Sequence, residues 1–218
     1  MPVRLNIGCG TAPTEGWLNY DNSPALRLGR FPPLLRVAGA LGLVDGGSLG
    51  FAAFARARGI RYADAVLRIP HPDGSVDAIY SSHMIEHLDR SEARRFLGEC
   101  QRVLRPGGRL RLVVPDLRVT VDDYVAKGNA DIFLDQLQLA LDKPHGMRGH
   151  LRNILVGSRN HHWLYDGRSL QRLVRDNGFE QVEVMEPGST RLPDPGKLNL
   201  SERIGESVYV EGRKPGAE

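Results

Sequence analysis

Leu5-Asn6-Ile7-Gly8-Cys9-Gly10 is a short apolar strand running into a glycine turn, and eleven residues after Gly10 an acid, Asp21, closes the segment Trp17-Leu18-Asn19-Tyr20. Two glycines let the backbone lie against a ligand with no Cβ in the way. An acid at the end of the next strand is placed to accept hydrogen bonds from a ribose diol, so the pair reads as a site for an adenosine-containing cofactor. A strand-ending turn without a ligand is the plain alternative, because a lone Gly-x-Gly discriminates poorly. A nicotinamide dinucleotide is disfavoured. Its fingerprint is Gly-x-Gly-x-x-Gly with an acid about twenty residues on, whereas here Pro13 stands at the third position and the acid comes early.

Working outward, strand-like runs bounded by turn residues fall at 3–7, 16–20, 61–64, 76–81, 109–114, 179–185 and 207–212, with helical patterns in several of the gaps. That alternation predicts an α/β fold with a largely parallel sheet. The clearest helix is Ser91–Leu104, with Ala93, Phe96, Leu97, Cys100, Val103 and Leu104 on one stripe, Ser91 as cap and Arg105-Pro106-Gly107-Gly108 as stop. A second runs from about Gly167 to Asn177, capped by Asp166 and ended by Gly178. Only a Pro- and Gly-rich loop joins the last two strands, which predicts an antiparallel pair. One conflict stands: the gap from Ile7 to Trp17 is short for a parallel crossover, so either its helix is reduced to a turn or two or the second strand is misplaced.

With 218 residues, 41% of them apolar and 25% charged, a single domain over 1–218 is expected. Met1-Pro2-Val3-Arg4 leads straight into a strand and does not resemble a secretory signal; the run Leu34–Val44 carries Arg36 and is too short to cross a bilayer. Two cysteines, Cys9 and Cys100, suit a reducing compartment, so a cytoplasmic location is expected. The net charge of +3 is uneven: six arginines stand against Asp45 between Asn22 and Arg61, a local +5 that leaves −2 for the remainder. Such a surface could face phosphate or lipid headgroups, but a solvated helical face is the commoner cause of scattered arginines. The segment 22–60, with Leu34, Leu35, Val37, Leu41, Leu43, Phe51 and Phe54, reads as two short amphipathic helices forming a lid between strands 2 and 3; it is short for docking on a membrane surface. No basic strip with interleaved aromatics lies outside it, so nucleic acid is not expected as a partner.

Five motifs in order resemble the class I S-adenosylmethionine-dependent methyltransferases, most closely the small bacterial type 11 group. They are Asn6–Gly10, Asn19-Tyr20-Asp21, Tyr62-Ala63-Asp64 with Ile69–Tyr80, Ser81–Leu88, and Val103–Gly108. The resemblance implies a Rossmann-like seven-stranded sheet in the order 3-2-1-4-5-7-6, the last strand antiparallel, with helices on both faces. It also implies that Gly8, Cys9 and Gly10 approach the methionine and ribose of the cofactor and that Asp21 holds the ribose hydroxyls. Asp64, with Ala65 beside it, would accept from the adenine amino group, and Ser81 would flank the methionine. The sequence departs from the family pattern at Ala12, where many members have a third glycine, and in a nearly absent first helix.

His83-Met84-Ile85-Glu86-His87 also fits the H-x-x-E-H pattern of inverted zinc peptidases. Its position after a strand inside a cofactor-binding layout argues against metal, and none is expected; a zinc hydrolase using His83, Glu86 and His87 is kept as an alternative, as is a non-catalytic cofactor-binding domain. His83, at the carboxyl end of a central strand, is placed to take a proton from an acceptor. A structural role stands beside the catalytic one. Glu86 is expected to point to solvent or to a neighbouring strand, and His87 to cap or pack in the next helix or join the acceptor site. Asn160-His161-His162-Trp163-Leu164-Tyr165-Asp166 falls on the same rim, so His161 is a second base candidate and His162, Trp163, Tyr165 and Asp116 are candidates for holding the acceptor. Packing and capping are the alternatives for these residues. The expected reaction is methyl transfer from S-adenosylmethionine to an oxygen or nitrogen of a small molecule.

Overall fold

β1 (Arg4–Ile7) and β2 (Leu18–Asp21) are short parallel neighbours in which Asn6 pairs with Asn19. The computed structural model describes residues 2–29, 46–139 and 160–216, together with residues 31, 33 and 39. The crossover between β1 and β2 contains turns and bends and no helix. Side-chain amides replace the missing helix: Asn6 Nδ2 donates to the carbonyl of Ala12, to Thr14 Oγ1 and to Asn19 Oδ1. Asn19 Oδ1 accepts from the Thr14 N–H, and Asn19 Nδ2 donates to the carbonyls of Thr14 and Trp17. Buried backbone groups of a non-helical segment must find partners, and these two asparagines supply them. The second strand is therefore where the sequence placed it.

α1 (Pro24–Gly29) and α2 (Gly46–Ala57) follow, then β3, which is only Arg61–Tyr62. The expected strand 61–64 is cut short because Asp64 turns its carboxylate back to accept from the N–H groups of Val66 and Leu67, capping a turn. α1 and α2 lie within the expected lid segment; Leu34, Leu35, Val37, Leu41 and Leu43 of that segment are outside the described residues, while Phe51 and Phe54 pack with Cys9, Leu26, Ala55 and Ile60.

β4 (Val76–Ser82) is followed by a 3-10 turn at Ile85–His87, then α3 (Arg90–Val103) and β5 (Leu104–Pro115). Asp89, not Ser91, caps α3: its carboxylate accepts from the N–H groups of Ser91 and Glu92, while Glu92 reaches back to the Asp89 N–H. Helix passes directly into strand at Leu104, which pairs with Val76 before the register shifts to Ala78 against Arg109. Gly108 makes this shift possible, since a Cβ there would lie 2.9 Å from the carbonyl oxygen of Arg105 and 3.1 Å from that of Val76. α4 (Leu117–Lys127) and α5 (Ala130–Leu137) pack against each other through Tyr124 and Phe133. α6 (Gly167–Asp176), capped by Asp166 with Ser169, leads to the β6 (Glu180–Met185) and β7 (Ser207–Arg213) hairpin. The seven strands run β3-β2-β1-β4-β5-β7-β6, with β7 antiparallel to both neighbours, as expected. No described helix is long and apolar enough to cross a membrane.

One face of the sheet buries Leu5, Ile79, Leu110, Leu112 and Val210 against α3 and α6. The other face carries Asn6, Asn19, Tyr80, Arg111, Tyr209 and Glu211, with Trp17, Leu192 and Leu198 from irregular chain packed over it. Arg111 and Glu211 are opposite each other on β5 and β7, fully buried, and joined at 2.6 Å. Arg111 also donates to the carbonyls of Ser189 and Leu200, and Glu211 accepts from the Thr190 hydroxyl and the Arg191 N–H. A buried ion pair is strongly destabilising to break because it strands the surviving charge. Glu211→Ala is accordingly expected to cost about 3–5 kcal/mol in urea unfolding, with the double variant Arg111→Met/Glu211→Leu recovering part of that loss.

Candidate active site

The carboxyl ends of β1, β2 and β4 converge on the glycine turn. Gly8 (φ +71°) and Gly10 (φ +49°) both take backbone conformations that side chains rarely adopt. A Cβ on Gly8 would sit 2.6 Å from Met84 Cγ, so the residues after β4 press directly on this turn. A Cβ on Gly10 would meet nothing within 4 Å, so the turn faces open space there. The N–H groups of Gly8 and Cys9 both donate to the Tyr20 carbonyl, tying the turn to β2. Asp21 Oδ2 accepts from the Gly10 N–H at 3.0 Å and Oδ1 from the Ser23 N–H at 2.8 Å, which fixes the carboxylate beside the turn. Ser81 Oγ is buried without a hydrogen-bond partner among the described residues and lies 4.0 Å from the Cβ position of Gly8. An open glycine cradle, an anchored acid and an orphaned hydroxyl fit an adenosine cofactor with a methionine tail.

Other sequence-derived residues are placed as follows. Ala65 is buried in the main core next to Asp64. A cleft of about 500 Å³ opens between α1, α2 and the β2–β3 edge, with Tyr20, Leu26, Arg56 and Tyr62 among its walls. Cys9 is buried; that burial, reinforced by the charge of Asp21, pushes its thiol up to about 12.

A second group gathers beyond β4. His83 has φ +49°, unusual for a residue with a side chain. Its Nε2 is 3.2 Å from Ser207 Oγ at the start of β7, and its Nδ1 is 3.4 Å from Glu86 Oε1. Glu86 does not reach solvent as one expectation had it: it is 1% exposed. The 3-10 turn rolls its side chain inward, and its backbone carbonyl accepts from both His162 and Trp163 N–H groups. Neither carboxylate oxygen makes a hydrogen bond to a described residue. His87 does not cap α3, where Asp89 has that role; its Nδ1 lies 3.1 Å from the Asn160 carbonyl. His161 is buried with Nδ1 2.9 Å from the Leu137 carbonyl, its ring centroid 5.0 Å from that of His87. Burial holds the His161 imidazole below its usual pKa, against the opposing pull of Glu86.

The remaining acceptor candidates divide. His162 and Trp163 are exposed, the latter with the Arg90 guanidinium 4.6 Å from its ring centroid. Tyr165 belongs to the apolar core, and its backbone bridges to Asp116. Asp116 caps α4 by accepting from the Arg118 N–H, and burial raises its carboxyl above the usual range. Ser207 is the participant that a reading of motifs missed. The H-x-x-E-H spacing drew in Glu86, though only for the zinc alternative; nothing local signalled Ser207, which reaches His83 only through the β5–β7 pairing.

Residues 5–112, from β1 into β5, match the family described as Methyltransferase domain. Among curated proteins none matches the sequence. Among solved structures, a SAM-dependent methyltransferase from Methanosarcina mazei is similar at 17% identity over 98% of this chain and 92% of that one, with a TM-score of 0.52. One from Thermotoga maritima, described as a possible histamine N-methyltransferase, is similar at 20% identity over 98% and 83%, with a TM-score of 0.50. PigF, solved with SAH, is similar at 14% identity and a TM-score of 0.50 over 98% of this chain, which spans half of its length. At these identities the structural likeness is one of fold. With the family matched through the cofactor half of the sheet and the strand order complete to the β6–β7 hairpin, the chain belongs to the class I S-adenosylmethionine-dependent methyltransferases.

Proposed function

We propose that the acceptor is a small molecule methylated at an oxygen or nitrogen atom, and that it enters from the β4–β5–β7 rim beside His83. The observation that carries this reading is the position of His83, two residues beyond Ser81 and braced between Ser207 and the buried Glu86. S-adenosylmethionine supplies an activated methyl on a sulfonium, so aligning the acceptor accounts for most of the catalysis and proton removal for less. Gly8, Gly10 and Ser81 shape the methionine side, Asp21 takes the ribose hydroxyls, and Asp64 with Ala65 lies at the adenine end. His83 accepts the acceptor's proton. His161 is the weaker base candidate, since its ring is buried and its Nδ1 is committed to the Leu137 carbonyl. Asp116, His162 and Trp163 are the rim residues left to touch the acceptor; Tyr165 is in the core.

Cys9 lies in the turn that would face the sulfonium, and a thiolate there would compete with the acceptor for the methyl group. Burial and the neighbouring Asp21 keep it a neutral thiol at physiological pH.

Three outcomes test this reading. Calorimetry with S-adenosylhomocysteine is expected to show binding that Asp21→Ala weakens at least about tenfold, the loss of a charge-assisted hydrogen bond worth ~1.5–3 kcal/mol; equal affinity in both proteins would sink the ribose assignment. Once an acceptor is found by screening hydroxyl and amine metabolites with labelled cofactor, His83→Ala is expected to lower kcat about 100-fold or more while leaving S-adenosylhomocysteine affinity unchanged. A variant with wild-type kcat would remove His83 as base. Mass spectrometry after iodoacetamide at pH 8 is expected to find Cys9 unmodified in the folded protein and labelled after denaturation; rapid native labelling would contradict the protonated thiol.

A further inference from the structure

We propose that Glu86, His87 and His161 form a binding site for a divalent transition metal of the zinc class. One ring nitrogen from each histidine and one carboxylate oxygen of Glu86 all lie within 4.8 Å of one another. The set differs from the one suggested by the H-x-x-E-H pattern: His161 comes from a distant part of the chain, and His83 stands outside the trio, with Nδ1 3.4 Å from Glu86 Oε1.

The hydrogen-bonding chemistry of the cluster points to a cation. His87 Nδ1 faces the Asn160 carbonyl and His161 Nδ1 faces the Leu137 carbonyl. A carbonyl only accepts, so each Nδ1 carries its proton and each neutral ring keeps its lone pair on Nε2. Glu86, 1% exposed, adds two carboxylate oxygens with no hydrogen bond to any described residue. Two imidazole rings and a buried carboxylate with no hydrogen bond among the described residues therefore share one small volume, and His83 Nδ1, 3.4 Å from Oε1, faces that carboxylate without making a hydrogen bond to it. Burying a carboxylate in this way is costly unless a positive charge offsets it. A proton could satisfy one imidazole, but protonating both would place like charges on rings whose centroids are 5.0 Å apart. A single divalent ion satisfies all three groups together.

The donor set is also of the right kind. Two imidazole nitrogens and one carboxylate suit zinc and its borderline neighbours, and three protein ligands leave a position open. A backbone carbonyl behind each ligating histidine is the usual arrangement that sets tautomer and ring orientation. A tetrahedral ion with bonds near 2.1 Å would hold its ligand atoms roughly 3.4 Å apart, so side-chain adjustment of about an ångström closes the site. The frame is already rigid, because the Glu86 carbonyl accepts from the His162 and Trp163 N–H groups at 2.7 and 3.1 Å. The ion would pin residues 160–163 to the turn after β4, and its open position would take water or an oxygen or nitrogen donor from a small molecule. The site shares Glu86 with the brace of His83, but its test reads metal binding and requires no acceptor.

The 218-residue chain, stripped with a chelator and dialysed, is titrated with zinc chloride by calorimetry and separately with cobalt(II) by visible absorption. The expected result is one zinc per chain, a thermal midpoint that rises with zinc concentration, and cobalt ligand-field bands that zinc displaces. His161→Ala and Glu86→Gln are each expected to weaken zinc binding by more than the ~10–100-fold that loss of a ligand's supporting partner costs, whereas His162→Ala retains wild-type affinity. Absence of stoichiometric zinc binding and of cobalt bands in the wild-type protein overturns the site. So does undiminished affinity in both ligand variants, or loss of binding only with His162→Ala. The cobalt spectrum of the wild-type protein decides the matter even if a ligand variant fails to fold.

Discussion

The constraint on which this architecture turns is the union of β1 and β2 in parallel by a crossover that has no helix. A helix would satisfy its own backbone; an irregular segment must be satisfied from outside. Asn6 and Asn19, paired across the two strands, project together from one face and place their amides against the Ala12, Thr14 and Trp17 backbone. Because the crossover is held from beneath, the glycine turn at its start is fixed on β2 through the Tyr20 carbonyl and the Asp21 carboxylate. The cofactor cradle and the acid beside it thus inherit their geometry from two buried asparagines hydrogen-bonded to each other across the strands.

The same solution recurs across the rest of that face. The chain between β6 and β7 lies over β4, β5 and β7 as bends and turns, and its carbonyls need donors. Arg111 serves Ser189 and Leu200, the Trp17 indole serves Pro195, and the Tyr209 hydroxyl serves Glu202. Alternation along the strands sends apolar residues to α3 and α6 and polar ones to the irregular roof. A charge as large as Arg111 is tolerable in full burial because Glu211 neutralises it and two carbonyls accept from its terminal nitrogens, although its Nε has no partner among the described residues. One face is therefore a packed apolar core, and the other is a hydrogen-bonded scaffold for loops.

How legible all this was in the sequence depended on range. The α/β alternation, the β6–β7 hairpin and the α3 and α6 stripes rest on periodicity and turn residues, which act within a few positions, whereas the strand order came from the family resemblance. Asp21 could be read because it follows its glycine turn closely. The cap of α3 was read two residues late: Ser91 looked suitable, yet Asp89 with Glu92 three residues on makes the reciprocal box, which satisfies the N–H groups of Asp89, Ser91 and Glu92. β3 was overestimated because Asp64 prefers its own backbone to a ladder. Inward rotation of Glu86 could not be read at all, since it depends on carbonyl contacts to His162 and Trp163, whose partner segment lies more than seventy residues away. Ser207 beside His83 is a product of the β5–β7 register.

The residues after β4 show why a central strand is the place to organise such a site. Ser81 is still in the ladder, paired with Ile7 and Leu112, and so its hydroxyl is held at the glycine turn by the stiffest part of the sheet. His83, whose N–H still donates to Val113, takes a left-handed backbone conformation that bends the chain out of the sheet. That bend presses Met84 onto Gly8 and turns Ile85 and Glu86 inward. Replacing Gly8 by any larger residue would push against Met84 and move His83 and Glu86 together with it. The cradle at one end and the histidine cluster at the other are thereby coupled through a contact that tolerates only glycine, so the spacing between them is set by packing and not by loop length.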